Sequence, residues 1–552
     1  MNYLNQQVYR TRSQIALFQK VESAIFDRGY NIIAPMRKYL YFTVFVSGMT
    51  TLAAELAASR LIGNVFGTSN LVWASIIGLI LIYLTVGYFI GGRWADRWPE
   101  MSAMYRILAW GAFTLGVVPY IATPVLRFAA KAFEGIDVAV LLGSFLGVLI
   151  LFSVPVTLLG MISPFAIRLS VEDAKSAGRT SGAIYGISTL GSFIGTFLPV
   201  LVTIPTIGTR LTFLSFSLVL LIVALFGLGK FASYKLMAWH LWMPVLLIVI
   251  AIIANNQSLK NSTGQIYETE SAYNYIQVQQ INGYTLLRLN DGEGIHSVYN
   301  PNTLNYGGPW AQFLVAPFFN ANFSPNQVHR MAIVGLAAGT AARMATAVYG
   351  PIQIDGYELD PKIIEVGEKY FDENMPNLNI IIGDGRWNLE QSPQQYDIIA
   401  VDAYRPPYIP PHMTTQEFYQ IVYDHLSDTG VVVINVGSVP GDRRLINGLA
   451  TTMATVFPSI HIMDIPGTLN TMIFATKQPT TDTNFTANLS SLSQRADVSP
   501  LLLSAMQTTF ANLKPGYQAT QVFTDDRAPI EWIVNEMVIR FTLGGGLSRL
   551  QQ

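Results

Sequence analysis

Four places in the second half of the chain bring together residue types that can hold a small, charged ligand. Gly335-Leu336-Ala337-Ala338-Gly339-Thr340 ends an apolar run and opens a helical stretch. Residues that small let backbone N–H groups come close to a ligand at a helix N-terminus. Some twenty residues on stands Glu358-Leu359-Asp360, where a carboxylate can accept both hydroxyls of a ribose. Gly383-Asp384-Gly385 follows, with a carboxylate able to take the amino group of an adenine, and then Asp402. Each carboxylate alone would serve equally well as a helix cap, and a glycine turn alone is a weak signal. Four successive strand ends carrying small or acidic residues point instead to one nucleoside site.

These residues need a sheet to align them. The apolar segments Met331–Val334, Ile352–Tyr357, Ile380–Ile382, Ile398–Val401 and Val431–Val436 alternate with helical stretches, which predicts βαβ units and a mostly parallel, buried sheet. Ligands of such open sheets bind at the carboxyl ends of the strands. Upstream, the Asn282-Gly283 and Asp291-Gly292 turns and the alternation Tyr275-Ile276-Gln277-Val278 predict a small antiparallel β unit.

The first half is of another kind. Seven apolar runs, at about 40–63, 70–92, 104–126, 138–162, 182–206, 210–229 and 236–254, each approach the roughly 20 residues a helix needs to cross a bilayer. The expected organisation is a basic amphipathic tail over 1–38, a polytopic membrane bundle of about seven helices over 39–255, a small β subdomain over 256–308 and a Rossmann-like α/β domain over 309–552. The 12% charged residues of this 552-residue chain fit that division. A net charge of −1 gives no pull on nucleic acid. The absence of cysteine excludes disulfides, thiolate catalysis and Cys-ligated metal, and six scattered histidines suggest no metal site.

Glu55 and Arg60 lie within the first run, where ionisable groups should face the bundle and pair. Gly182, Gly186, Gly191 and Gly195 supply two small-xxx-small spacings for close helix packing. Basic residues such as Arg10, Arg12, Arg37, Lys38, Arg93, Arg97 and Lys230 fall on one side, against Arg127, Lys131 and Arg210 on the other. This bias puts the N-terminus in the cytoplasm, and seven spans then put the α/β domain outside. An adenosyl cofactor, made and kept in the cytoplasm, would favour the opposite side.

At this level the chain resembles the spermidine synthases, or polyamine aminopropyltransferases, and in particular their membrane-fused relatives. The resemblance covers roughly Gly264 to Glu531. It rests on Tyr267 to Ile276, Leu289-Asn290-Asp291-Gly292, Tyr357 to Glu365, Lys369-Tyr370-Phe371, Tyr396 to Asp402, Thr414 to Tyr419 and Thr524-Asp525-Asp526-Arg527-Ala528-Pro529-Ile530-Glu531, with Tyr185 to Gly195 in the membrane half. It implies a methyltransferase-type fold in a multi-pass protein of the cell (inner) membrane. The donor would be S-adenosylmethionine or its decarboxylated form, without a metal. Glu358 would hold the ribose, Asp384 and Gly385 the adenine, and Gly335, Ala337 and Gly339 the donor's amino-acid or aminopropyl arm. The implied partners are the lipid bilayer and the nucleoside donor, with a homo-oligomer or membrane complex left open.

The departures concern the amine end. The family's glycine loop carries an Asp where this chain has Ala338. Its catalytic loop carries a second Asp where this chain has Arg405, and its His-Glu pair stands as Ala311-Gln312. An arginine stays protonated and would repel a diamine. Asp402, Tyr404, Arg405 and His412 are therefore the candidate catalytic residues, with His412 a base near neutral pH and the acceptor something other than a polyamine. Prolines 406, 407, 410 and 411 stiffen this loop, and Tyr408 is a further candidate lining residue. A methyltransferase, a non-catalytic ligand-binding or interaction module, and a transporter with a regulatory soluble domain remain open as alternatives.

Overall fold

The computed structural model describes residues 36–63, 70–132, 139–254, 262–290, 294–304, 306–404 and 409–543. Nearly all of the tail expected over 1–38, the Asp291-Gly292 turn, Arg405 and Tyr408 lie outside them. The chain divides into two compact units, one of 1–62, 73–128 and 144–257, the other of 63–72, 129–143 and 258–552.

The first unit is helical. Among the described residues six helices are long and apolar enough to cross a membrane: Met36–Gly63, Val72–Arg97, Met101–Leu126, Leu142–Ser170, Ala177–Phe231 and Tyr234–Ala254. The runs at 182–206 and 210–229 fall within the 55-residue fifth element, so six helices stand where seven runs are read. It passes through a π-helical turn, Pro199–Thr203, and then Gly208, whose φ of 77° and ψ of 170° break the helical path. Only a residue without Cβ takes that conformation cheaply, so a glycine marks the division between the two runs. Glu55 and Arg60 both lie on the helix Met36–Gly63.

The four glycines of the fifth element are not equivalent. A Cβ on Gly191 would meet the backbone carbonyl of Phe45, and one on Gly195 that of Met49, whereas Gly182 and Gly186 face open space. The second spacing therefore makes the close helix contact, and Ser192 Oγ adds a hydrogen bond to the Gly48 carbonyl at 3.2 Å. Gly195→Val is expected to destabilise the protein in detergent by about 1–3 kcal/mol through overpacking. Gly182→Ala should leave the melting temperature unchanged, and equal melting of the two variants would contradict this packing.

The second unit begins with an antiparallel sheet in the order β1 (Gln265–Glu270), β2 (Tyr275–Ile281), β3 (Tyr284–Leu289) and β4 (Ser297–Tyr299). The larger sheet uses β5 (Arg330–Val334), β6 (Gln353–Glu358), β7 (Leu378–Ile382), β8 (Tyr396–Val401), β9 (Leu426–Gly437), β10 (Ser459–Asp464), β11 (Asn470–Thr476) and β12 (Leu513–Lys514). Its order is β12-β10-β11-β9-β8-β5-β6-β7. Strands β7, β6, β5, β8 and β9 are parallel neighbours, and β11, β10 and β12 add an antiparallel edge. The five apolar runs become β5 to β9. The edge leaves little trace in the periodicity, because its strands do not alternate with crossover helices.

Strands β5, β8 and β9 are buried on both faces, with Met331, Ile333, Ile398, Ala400, Val431 and Val433 in one core layer and Ala332, Val334, Ile399, Val401, Val432 and Ile434 in the other. Such two-sided burial is why these strands read as continuous apolar runs. From β5 the chain winds to β6 and β7 on one side, then crosses to β8 and β9 on the other. The carboxyl ends of β5 and β8 thus form the switch point at which an open sheet leaves a crevice.

Candidate active site

The turn after β5 is built around positive backbone angles. Gly335 has φ 93°, Ala337 φ 50° and Gly339 φ 73°. A Cβ on Gly335 would lie 2.5 Å from the Asp402 carbonyl oxygen, so only glycine lets this turn meet the end of β8. The Gly335 and Leu336 amides both donate to the Tyr357 carbonyl at 3.0 Å, and the Asp402 amide donates to the Val334 carbonyl at 2.8 Å. The three strand ends are thereby locked together.

Glu358 and Asp360 have different tasks. The Glu358 carboxylate accepts from the amides of Ala337 and Asp360, each at 3.0 Å. Burial pushes its carboxyl up to about 7. Asp360 caps the helix Pro361–Tyr370 through the Lys362 amide at 3.0 Å, and its other oxygen accepts from Ser271 Oγ at 2.5 Å and Asn274 Nδ2 at 2.9 Å. Its bonds tie the small sheet to the large one, while Glu358 faces the crevice. Asp384 caps the helix Gly385–Glu390 through the Trp387 amide at 2.9 Å, and its Oδ2 lies 3.1 Å from His412 Nε2.

Asp402 accepts from Asn435 Nδ2, on β9, at 2.9 Å. Burial outweighs that bond and pushes its carboxyl up to about 7. The neighbouring Tyr404 hydroxyl accepts from the Gly437 amide, and burial holds it far above the usual phenol range.

A cavity of about 510 Å³ opens between these groups. It is lined by Gly335, Ala337, Glu358, Asp384, Gly385, Asp402, Tyr404 and His412, so the structure brings together all but two of the candidate residues. Gly339 is not in the lining; it stands at the N-cap of the helix Thr340–Tyr349. Arg405 lies outside the described residues. Ala338 is fully buried in a cluster with Ile276, Ile363, Val366 and Phe371 and is not in the cavity lining. Gln312 is likewise a core residue, accepting from Thr509 Oγ1 at 2.6 Å. Among the described residues no cluster of three His, Cys, Asp or Glu side chains is placed to hold a metal ion.

Several lining residues stand outside the candidate set. Tyr273 and Asn274 arrive from the β1–β2 turn. His296, just before β4, also lines the cavity; its Nε2 is buried and without a protein partner. Burial, with Arg288 nearby, lowers its pKa to about 4, so the ring is a neutral hydrogen-bonding group at physiological pH. Glu531, the last residue of the Thr524–Glu531 motif, reaches the same cavity from the start of the helix Ile530–Leu543.

Beneath the glycine turn, Glu373 is 2% exposed and neither carboxyl oxygen has a hydrogen-bond partner. It is clamped between Gly367 and Gly339, where an added Cβ would sit 2.9 Å from its Oε1. Burial, reinforced by Glu358, pushes it up to about 9. An acid raised in this way adds stability that is complete below its unfolded pKa of 4.5 and is lost as the pH rises toward 9. We expect unfolding free energy to fall across that window by up to about 1.4 kcal/mol per pH unit. Glu373→Gln should flatten the dependence, and urea titrations of both proteins at several pH values would refute this if the two slopes matched.

Residues 323–488 match the family model for the spermine/spermidine synthase domain. A probable polyamine aminopropyl transferase of Bifidobacterium longum (strain NCC 2705) is 31% identical over 283 residues, which are 49% of this chain and 62% of that relative. The α/β region is thus similar to the spermine/spermidine synthase domain. A polyamine aminopropyltransferase of Vibrio vulnificus (strain CMCP6) is 27% identical over 36% of the chain and 68% of the relative. Among solved structures, a probable spermidine synthase from Corynebacterium glutamicum aligns over 47% of this chain and 97% of its own, at 19% identity and a TM-score of 0.36. The spermidine synthase from Thermotoga maritima aligns over 45% and 84%, at 20% identity and the same TM-score. The chain thus spans less than two thirds of the first of these relatives. The domain carries carboxylates at or just after the ends of β6, β7 and β8 that line the cavity, and has core side chains at Ala338 and Gln312.

Proposed function

We propose that this protein is an integral membrane transferase that uses an adenosyl sulfonium donor, decarboxylated S-adenosylmethionine or S-adenosylmethionine, and an acceptor other than a simple diamine. The observation that carries this reading is the convergence of Glu358, Asp384 and Asp402 with the Gly335 turn on one cavity. In this reading Glu358 takes the ribose hydroxyls and Asp384 the adenine amino group. Asp402 faces the reacting carbon. A nucleophilic nitrogen of the acceptor attacks the methylene beside the sulfonium, the C–S bond breaks as the C–N bond forms, and the thioether nucleoside leaves. The proton lost by the nitrogen passes to Asp402, whose pKa near 7 suits that transfer. Ala338 and Gln312 offer no carboxylate or imidazole to a second ammonium, and Arg405 would repel one.

The six apolar helices among the described residues support insertion in a membrane, which this reading takes to be the cell (inner) membrane. If the fifth crosses twice, about Gly208, the crossings number seven. The charge bias then favours the outer side for the α/β domain, whereas an adenosyl donor favours the cytoplasmic side.

The test is to incubate the full-length protein in detergent with each donor and assay methylthioadenosine and adenosylhomocysteine. Absence of binding by either donor would sink the transferase reading. Methylthioadenosine released in the presence of putrescine would overturn the non-diamine acceptor. A reporter fused after Gln552 that is active in the cytoplasm would overturn the seven-crossing topology.

A further inference from the structure

One wall of the cavity is made by Pro410, Pro411, His412 and Met413. Part of what holds that wall, the segment bearing Asp525, lies beyond the matched family region, which ends at residue 488. Arg386, in the helix Gly385–Glu390, donates from Nη1 to the His412 carbonyl at 2.8 Å and to Asp525 Oδ1 at 2.7 Å. Its Nη2 donates to Asp525 Oδ2, also at 2.7 Å. The Asp525 carboxylate further accepts from Thr415 Oγ1 at 2.8 Å, and the Asp525 amide donates to Glu417 at 3.1 Å. Thr415 in turn caps the helix Gln416–Asp424.

The segment bearing Asp525 is itself anchored. Phe523 is 1% exposed, its carbonyl accepts from the Gln416 amide at 2.9 Å, and its amide donates to Thr452 Oγ1 at 2.9 Å. The Thr524 and Arg527 backbones pair to form a turn that presents Asp525. The far side of the wall is held by the 3.1 Å contact of His412 with Asp384. Asp384 and Arg386 stand at the start of the same short helix, so the wall is pinned at two points to the element that carries the adenine-side carboxylate.

A lone exposed ion pair contributes little. This one is a two-bond guanidinium–carboxylate fork that also binds a backbone carbonyl and joins three chain segments, which is the geometry in which arginine is not replaceable by lysine.

We propose that Asp525 and Arg386 are positioning residues of the donor site: by fixing Pro410–Met413 and His412 against Asp384, the C-terminal segment sets recognition of the adenine end of the donor. This rests on the transferase reading above, so the test has one arm that needs no ligand.

In the ligand-free full-length protein, hydrogen exchange of the 409–418 amides should rise at least about tenfold in Asp525→Asn and in Arg386→Lys, through local opening. Arg495→Gln, which breaks the exposed pair with Asp497, should leave it unchanged. In the second arm the wild type should prefer 5′-methylthioadenosine over 5′-methylthioinosine, which lacks the amino group, by about tenfold or more, and the variants should lose most of that preference. The exchanged pair Arg386→Asp with Asp525→Arg should recover part of it. Wild-type exchange in both single variants would overturn the proposal, as would reduced affinity with the adenine preference intact, which marks general damage. A wild type that binds neither nucleoside while the variants still open would overturn the transferase reading and the adenine role together, and leave the ion pair as a fold contact.

Discussion

Asp402→Asn is expected to lower kcat/KM for transfer by on the order of 10²–10⁴-fold, the usual contribution of a positioned proton acceptor. Binding of methylthioadenosine should change little, because the ribose and adenine contacts assigned here belong to Glu358 and Asp384. In the wild type, kcat/KM should rise as the pH passes upward through about 7, where the Asp402 carboxyl ionises, and this limb should vanish in the variant. Stability should move the other way. The folded pKa of about 7 lies above the unfolded 3.8, so the contribution of Asp402 is complete below 3.8 and lost as the pH rises toward 7. An Asn carries no such charge, and with its amide turned it can still bond Asn435. The variant should therefore melt higher than the wild type at pH 8 while being nearly inactive. A melting temperature that falls, or activity within tenfold of wild type, would count against Asp402 as the buried acceptor of the proton.

Gly335→Ala should abolish donor binding and destabilise the second unit by about 3 kcal/mol or more. Two costs combine. The backbone at φ 93° disfavours any side chain, and the new Cβ would lie 2.5 Å from the Asp402 carbonyl oxygen and 2.7 Å from the Ala403 nitrogen. Neither neighbour can yield easily, because both are backbone atoms at the end of a strand whose next amide, Asp402 N, is bonded to Val334. The strain would be relieved by moving Asp402, the residue the chemistry needs. Calorimetric titration with methylthioadenosine and urea unfolding of the full-length variant measure the two effects, and wild-type values in both would refute the role assigned to this turn.

The cavity-lining carboxylates were legible because they stand at strand ends. A buried parallel strand announces itself as an apolar run, and the residue that follows it is placed by the fold at the carboxyl edge. Glu358, Asp384 and Asp402 could thus be named from position alone. The antiparallel edge β10–β12 was not legible, since its strands lack the strand–helix spacing that identified the others. His296, Tyr273, Asn274 and Glu531 were not legible as lining residues either. They reach the cavity from the small sheet and the C-terminal helix, and only long-range packing brings them there.

The sequence alone determined the division of the chain into an apolar helical half and an α/β half, and the parallel order of acidic strand ends. Those properties follow from local composition and from the period of burial, which every segment carries with it. The tertiary structure decided which residue of the Glu358–Asp360 pair faces the cavity: Asp360 is consumed by a cap and by Ser271 and Asn274, and Glu358 lines the cavity. It also decided that Gly191 and Gly195, rather than Gly182 and Gly186, make the close helix contact, that Glu373 is buried without a partner, and that Arg386 meets Asp525 across 139 residues. Each of these depends on what lies opposite a side chain in space, and no pattern of neighbours in sequence carries that information.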